Sequence, residues 1–390
     1  MIIWGAIAIP ILTAIVLLAW FRHRTLWWEF LVPFVVSIIC ILVFKYTTEK
    51  VQTSDTEFWG GWATHAEYFE RWNERVPCSH TKYCPDTCRH SDGSTYSCSR
   101  PCGKQHMYDV DDHPARWVLH DSNGESQSIG SGAFEGLADK WHSRTFVDLH
   151  RDYHTVDGDK YVATWDSNEA TFVAVMTSHT YENRVQAATS IFNFPEVDPK
   201  EWGLYEYPGI GAYDQVAILG ASGSQAQEAD ALLRKWNAKL GRPKQVKMFI
   251  LVFGSDSTLD AGISQEHYWN GGNKNEFVLA LGTDSSGKVT WAHPFSWTEV
   301  DRLKIDMREY ALNQGQLNLV DLVNYMVPQV EEHFERKSFA DFSYLTVEPP
   351  GWAVALSYIL TLLVNSGVSY WIIRNRHQEW VPNERRSYRY

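Results

Sequence analysis

Cysteines and histidines gather in one stretch of this chain: Cys78, then Cys84-x3-Cys88 and Cys98-x3-Cys102, with His80, His90 and His106 beside them. Two chemistries suit that pattern. In an oxidising compartment it gives two disulfides with one thiol left over, because a turn-rich segment short of aliphatic residues cannot pack a core. Paired cysteines on two adjacent turns can also present Cys84, Cys88, Cys98 and Cys102, or three of them and a histidine, to a tetrahedral zinc ion. Spacing leaves both open and does not fix the pairing. The sixth cysteine, Cys40, falls in an apolar segment out of reach of the others.

A second cluster, His150, His154, Asp157 and Asp159, lies in RTFVDLHRDYHTVDGD. If this segment begins as a helix, the two imidazoles share a face at i, i+4, and Asp157 or Asp159 can add a carboxylate to a metal site. It lacks the glutamate of an HExxH site, and solvated or core-satisfied imidazoles account for the same pattern. Asp109, Asp111, Asp112 and His113 form a third polar knot. Asp256, Asp260 and Asp284 fall near strand ends, where open α/β sheets bind ligands. A phosphatase would use such carboxylates to hold a metal against a phosphoryl oxygen, which makes Asp256 and Asp284 the catalytic candidates. Gly220 to Gly223 lacks the Lys-Ser/Thr ending of a phosphate loop and reads as a linker.

These residues lie between apolar ends. Met1 to Trp20 and Trp352 to Ile373 are uncharged, and Leu31 to Phe44 is extended by Trp27, Trp28 and Tyr46. A run of about 20 apolar residues crosses ~30 Å of hydrocarbon, so three transmembrane helices are predicted, over 1–20, 27–46 and 352–373. The first lacks a basic leader and a small-residue cleavage site, and reads as retained. Arg22 and Arg24, and the basic tail 374–390 with Arg374, Arg376, Arg385, Arg386 and Arg389, belong in the cytoplasm. That puts the N-terminus and the large domain outside, in the periplasm if the membrane is a bacterial inner membrane; Lys45 and Lys50 weakly oppose it. Between Tyr46 and Ile373, 44 acidic residues face 27 basic ones. A surface so acidic repels phosphate backbones, so nucleic acid is not an expected partner, whereas the lipid bilayer is.

The 47–106 segment reads as a membrane-proximal part. Glu57 to Val76 carries Trp59, Trp62, Tyr68, Phe69 and Trp72 at mixed helical spacing and predicts an amphipathic helix; the cysteine-rich excursion follows. Over 107–213 a mixed α/β domain is expected, with strands at Ala115–His120, Lys160–Trp165 and Thr171–Met176 and a helix at Gly132–Trp141. Over 214–345, Ser224 to Leu240 has a helical period, stopped by Gly241 and Arg242-Pro243, and Val246 to Phe253 is an apolar run suited to a central strand. Asn275–Leu281 and Lys288–Ala292 flank a turn at Ser285, Ser286 and Gly287; Thr298 can cap one helix, and Leu317–Phe334 is a last one containing Pro328. The fold class is α/β, or α+β, in the order helix, strand, helix, strand, strand, helix, helix at its end.

Several of these segments resemble known families. VKMFILVF, the run Tyr268-Trp269-Asn270-Gly271-Gly272-Asn273-Lys274-Asn275 leading into FVLALG, the Asp284 turn and the final helix pair resemble the TPM domain family over about Ser224 to Phe342. Glu276 stands where its members carry Gly. The resemblance implies an extracytoplasmic α/β domain anchored by a following transmembrane helix, with phosphatase activity linked to some members. CSHTKYC, YDVDDHPARW, HTVDGDKYV and YENRVQAATSIFNF are similar to membrane proteins of tailed bacteriophages, which implies a viral gene expressed at a bacterial envelope.

On these grounds a phage-encoded integral membrane protein is expected, its TPM-like periplasmic domain binding an envelope or virion protein in a non-enzymatic role. A metal-assisted phosphatase and a lysis-timing or channel-associated protein are the alternatives. Zinc is the one cofactor the residues suggest. Spans nearly free of ionisable groups argue against an ion pathway.

Overall fold

The structure, a computed structural model, describes residues 2–20, 27–149, 158–188, 194–213 and 216–384. Helices α1 (Ala8–Trp20) and α2 (Trp27–Gln52) precede β1 (Ser54–Phe69), β2 (Trp72–Pro77), β3 (Thr81–Arg89), β4 (Thr95–Lys104), β5 (Tyr108–His113), β6 (Arg116–Asp121) and β7 (Ser126–Ser128). Helix α3 (Ser131–Trp141) is followed by β8 (Thr145–Val147), β9 (Lys160–Thr164) and β10 (Ala174–Glu182), then by two single turns, α4 (Arg184–Ala187) and α5 (Pro199–Trp202), and by β11 (Ile218–Leu219). The remainder is α6 (Ser224–Lys244), β12 (Lys247–Phe253), α7 (Leu259–Tyr268), β13 (Glu276–Thr283), β14 (Val289–Ser296), α8 (Asp301–Asn313), α9 (Leu319–His333) and α10 (Gly351–Glu384). The chain divides into two compact units, one of Met1–Glu57, Thr180–Glu196 and Lys337–Tyr390, the other of Phe58–His179 and Val197–Arg336.

The first unit is helical and inverted in polarity. Leu31–Gln52 and Gly351–Trp371 are long and apolar enough to cross a membrane by length and composition, and Ile3–Val16 is a shorter apolar helix. Leu42, Val43, Ile359, Leu362 and Leu363 point outward, whereas Ser357, Thr361, Asn365 and Ser369, four residues apart on α10, are buried. The Asn365 amide donates to the Ser37 hydroxyl of α2 at 3.3 Å. Apolar side chains outside and small polar ones between helices is the arrangement favoured where the solvent is hydrocarbon. Beyond α2, Asp55 accepts hydrogen bonds from Tyr181 and Asn183, both at 2.7 Å.

In the second unit a six-stranded sheet runs β7-β6-β1-β9-β8, with β10 also paired to β1. The expected amphipathic helix over Glu57 to Val76 is instead β1 and β2. Aromatic residues fit a pleated, half-buried surface, and Gly60-Gly61 weakens any helix there, so the strand wins. Ala66, Leu119 and Ala163, with Tyr68, Trp117 and Tyr161, pack on Phe134, Leu137, Ala138 and Trp141 of α3. His65 and Glu67, alternating with these along β1, belong to the other face.

The second sheet, β11-β12-β13-β14, is parallel except for β14. Every residue of β12 is buried. Met248, Ile250 and Val252 join one core with Leu233, Met307 and Leu322, while Phe249, Leu251 and Phe253 join another with Trp269 and Trp291. Burial on both faces is why the strand reads as an unbroken apolar run. The predicted order helix, strand, helix, strand, strand, helix, helix is observed from α6 to α9. Two local expectations fail. Helix α6 continues through Gly241 and Pro243 to Lys244 rather than stopping at Gly241. Thr298 does not cap α8, whose first flanking residue is Val300; the Thr298 hydroxyl accepts from the Val300 N–H at 3.2 Å and donates to the Glu335 carbonyl at 3.1 Å.

Candidate functional site: a stapled arm and its joint

Strands β2 and β5 form an antiparallel ribbon from Trp72↔His113 to Pro77↔Tyr108, and β3 and β4 form a second one beyond it. Each is a separate two-stranded sheet. Such a ribbon is marginal in water alone. Two disulfides, Cys84–Cys102 and Cys88–Cys98, offset that weakness. The two Cys-x3-Cys motifs explain the pairing: cysteines four apart stand on one face of each strand, and Cys84↔Arg100 and Cys88↔Tyr96 registers put each beside the cysteine two residues on. Both bridges have Cα atoms 5.7 Å apart. Four-thiolate zinc ligation by Cys84, Cys88, Cys98 and Cys102 is therefore not what this structure holds, because each sulfur is bonded to another.

The fifth cysteine is where the two ribbons meet. Cys78 keeps a free, buried thiol. Cys78 and His80 leave β2, while His106 and Asp109 return the chain to β5, and one ligand atom from each lies within 4.8 Å of all the others. Asp109 organises the group. Its Oδ1 accepts from His80 Nδ1 at 3.0 Å and from His106 Nε2; its Oδ2 accepts from the Ser79 N–H at 2.7 Å and its hydroxyl at 3.2 Å. The His106 hydrogen bond, then those of Ser79 and His80, hold the Asp109 carboxyl well below the usual carboxylate range against its partial desolvation. A thiol, two imidazoles and an ionised carboxylate are a donor set suited to zinc. The pattern Cys78-x-His80 before the stapled loop and His106-x2-Asp109 after it carried this signal in the sequence, masked by the more conspicuous cysteine pairs.

A second group lies on the face of the six-stranded sheet opposite α3. His65 of β1 is paired in register with His120 of β6, their rings stacked 4.2 Å apart at 5°. Glu67, two residues along β1, takes Lys160 Nζ on Oε1 at 2.6 Å and His120 Nε2 on Oε2 at 3.3 Å. Burial opposes its ionisation, but the hydrogen bond and charge of Lys160, with His120, outweigh this and hold its pKa below the usual value. Burial, and then the nearby His120, push the His65 imidazole down, toward its neutral form.

No protein-family model, curated protein or solved structure matches the chain. Its site therefore rests on its own geometry. Asp256 and Asp284 follow β12 and β13, parallel neighbours that pair Phe253 with Gly282, so both lie at the carboxyl edge of that sheet. Asp284 is engaged in the hairpin turn: its Oδ1 accepts from the Ser286 N–H and hydroxyl at 2.8 and 2.6 Å and from the Lys288 N–H at 2.9 Å. Asp256 is exposed, with the Ser255 hydroxyl 3.4 Å away. His150, His154 and Asp157 lie outside the described residues; the segment leading to them is strand β8 rather than a helix, and Asp159 accepts from the Leu149 N–H at 2.8 Å.

Proposed function

We propose that the chain is a membrane-anchored binding protein whose stapled arm recognises another protein of the envelope or virion, with a zinc ion at Cys78, His80, His106 and Asp109 fixing the arm to its stalk. The observation that carries this reading is the joint. Ligand atoms from both sides of one break between two ribbons converge there. An ion bound at that point would resist bending that no hydrophobic core opposes. The arm also suits recognition: Tyr83, Tyr96, Met107, Tyr108 and Val110 are all exposed. Its 78–106 segment holds four basic and two acidic residues in a strongly acidic region. Exposed tyrosines beside cations are favoured interface residues, and the charge contrast selects an acidic partner surface.

The anchoring is read as three spans with the large domain outside, the short helix Ile3–Val16 being the core of the first. The setting is read as a phage-encoded protein in the host's inner membrane, with a TPM-like module from α6 to α9 whose element order supports that likeness. Photo-crosslinkers placed at Tyr83 and Tyr96 in the full chain, in membranes, test the reading. One identified envelope or virion protein should be captured from both positions, and lost in Cys78→Ser. Capture equally efficient from Arg302, exposed on α8, would refute it.

A further inference from the structure

We infer that His65, Glu67 and His120 form a second divalent transition-metal site, independent of the arm, with three protein ligands and a free coordination position. The architecture is what carries it. His65 and Glu67 are alternate residues of β1, and His120 sits directly across from His65 on β6, so three donors share one face without any loop having to move. Their ligand atoms all lie within 4.8 Å of one another. In a tetrahedral shell with bonds of about 2.1 Å, neighbouring donors are about 3.4 Å apart, a closure that side-chain rotation on a fixed sheet can supply.

Two imidazoles and a carboxylate suit zinc, and equally cobalt or nickel as probes. Lys160 does not block the site. It holds Glu67 Oε1 and leaves Oε2 turned toward His120, which makes it a positioning residue that orients the carboxylate. The site is partly accessible, with 30% of the His120 side chain and 15% of the Glu67 side chain exposed. A fourth position there is open to water or to an anionic oxygen ligand. Three-ligand, partly open shells are the arrangement of reactive metal sites, whereas the arm's four donors make a closed, structural one.

Cobalt(II) titration of the full chain in detergent separates the two sites, because only the arm offers a thiolate outside the apolar helices. Two equivalents should bind, one with a sulfur-to-cobalt charge-transfer band and one without. Cys78→Ser should abolish the band and keep the sulfur-free equivalent. His120→Ala should lose the sulfur-free equivalent and keep the band; Glu67→Gln, which preserves volume, should weaken it by about 10- to 100-fold. Absence of a sulfur-free equivalent in Cys78→Ser, or unchanged binding in both His120→Ala and Glu67→Gln, would overturn the inference. One sulfur-free equivalent without a charge-transfer band supports this site where His120→Ala removes it, and overturns the inference where it survives His120→Ala.

Discussion

Asn237 of α6 brackets Met248 of β12 as a neighbouring strand would: its Nδ2 donates to the Met248 carbonyl at 2.9 Å, and its Oδ1 accepts from the Met248 N–H at 2.7 Å. Among the described residues, β11 pairs with β12 only at Ile250 and Leu251, and no strand meets the edge at Met248. The wholly buried amide supplies the missing ladder rung. Asn237→Leu keeps the branched shape of the side chain, with bulkier methyl ends, and strands both backbone groups. Each unsatisfied buried group costs ~1–3 kcal/mol, so a loss of about 2–6 kcal/mol is expected in thermal or denaturant unfolding. Amide exchange at Met248 should accelerate before that of Leu279, deep in β13. Equal protection in both proteins would show that the bracket contributes nothing.

Gly241 lies where the first sheet meets α6. A Cβ at Gly241 would overlap the Gly60 carbonyl, and a Cβ at Gly60 would overlap the Asn237 carbonyl, so β1 and α6 approach through two facing glycines. Helix propensity alone predicts that Gly241→Ala stabilises α6 by up to ~1 kcal/mol. Overlap with backbone predicts the opposite, a loss of about 1–3 kcal/mol. The sign of the change in unfolding free energy decides between them, and destabilisation is expected.

Glu276 opens β13 fully buried, its carboxylate held by the Tyr207 hydroxyl and by the Asn273 N–H and side-chain amide at 2.9 and 3.0 Å. Burial raises its pKa above the usual 4.5, and the hydrogen bonds and Lys247 only partly counter this. The folded state therefore holds a proton that the unfolded chain releases. Stability from this group is greatest below the unfolded pKa and falls as pH rises through the folded one. Glu276→Gln should flatten that slope, with the variant gaining on the parent protein above pH 5 and not below pH 4. A parallel pair of stability–pH curves would show that Glu276 does not titrate in this range.

The folds of the two halves differ in how openly the sequence announces them. From α6 to α9, apolar runs buried on both faces and turn residues such as Ser286 and Gly287 make each element local, so it is legible from pattern. The strand β1 is not, because its neighbours β6, β9 and β10 come from distant chain and its aromatic spacing fits a helix equally well. Gly241 reads as a helix stop until the approach of Gly60 supplies its reason. The site shows the same division. Cysteine pairing follows from two equal spacings once the strands are known, whereas Cys78, His80, His106 and Asp109 are brought together only by the meeting of two ribbons, and His65 and His120 only by a register 55 residues apart.

Two devices hold the arm, and they should fail separately. The disulfides close β3 on β4 within the tip, spanning 18 and 10 residues, while the group at Cys78 ties the tip to β2 and β5. Loss of the outer staple in Cys88→Ser/Cys98→Ser should leave the unfolding temperature of the main body unchanged, since among the described residues the tip ribbon pairs with no other strand. Trypsin should then cut after Arg89, beside the removed bridge, the Arg100–Pro101 bond being resistant to it in either state. Cys78→Ser, or chelation of the intact chain, should instead expose Lys82 and Lys104 at the base while the tip stays resistant. Cleavage rate is the measurement, because it reports the local opening that a global melt misses. The same cleavage pattern from both treatments would mean that the arm opens as one piece, and the joint would then have no separate role in holding it.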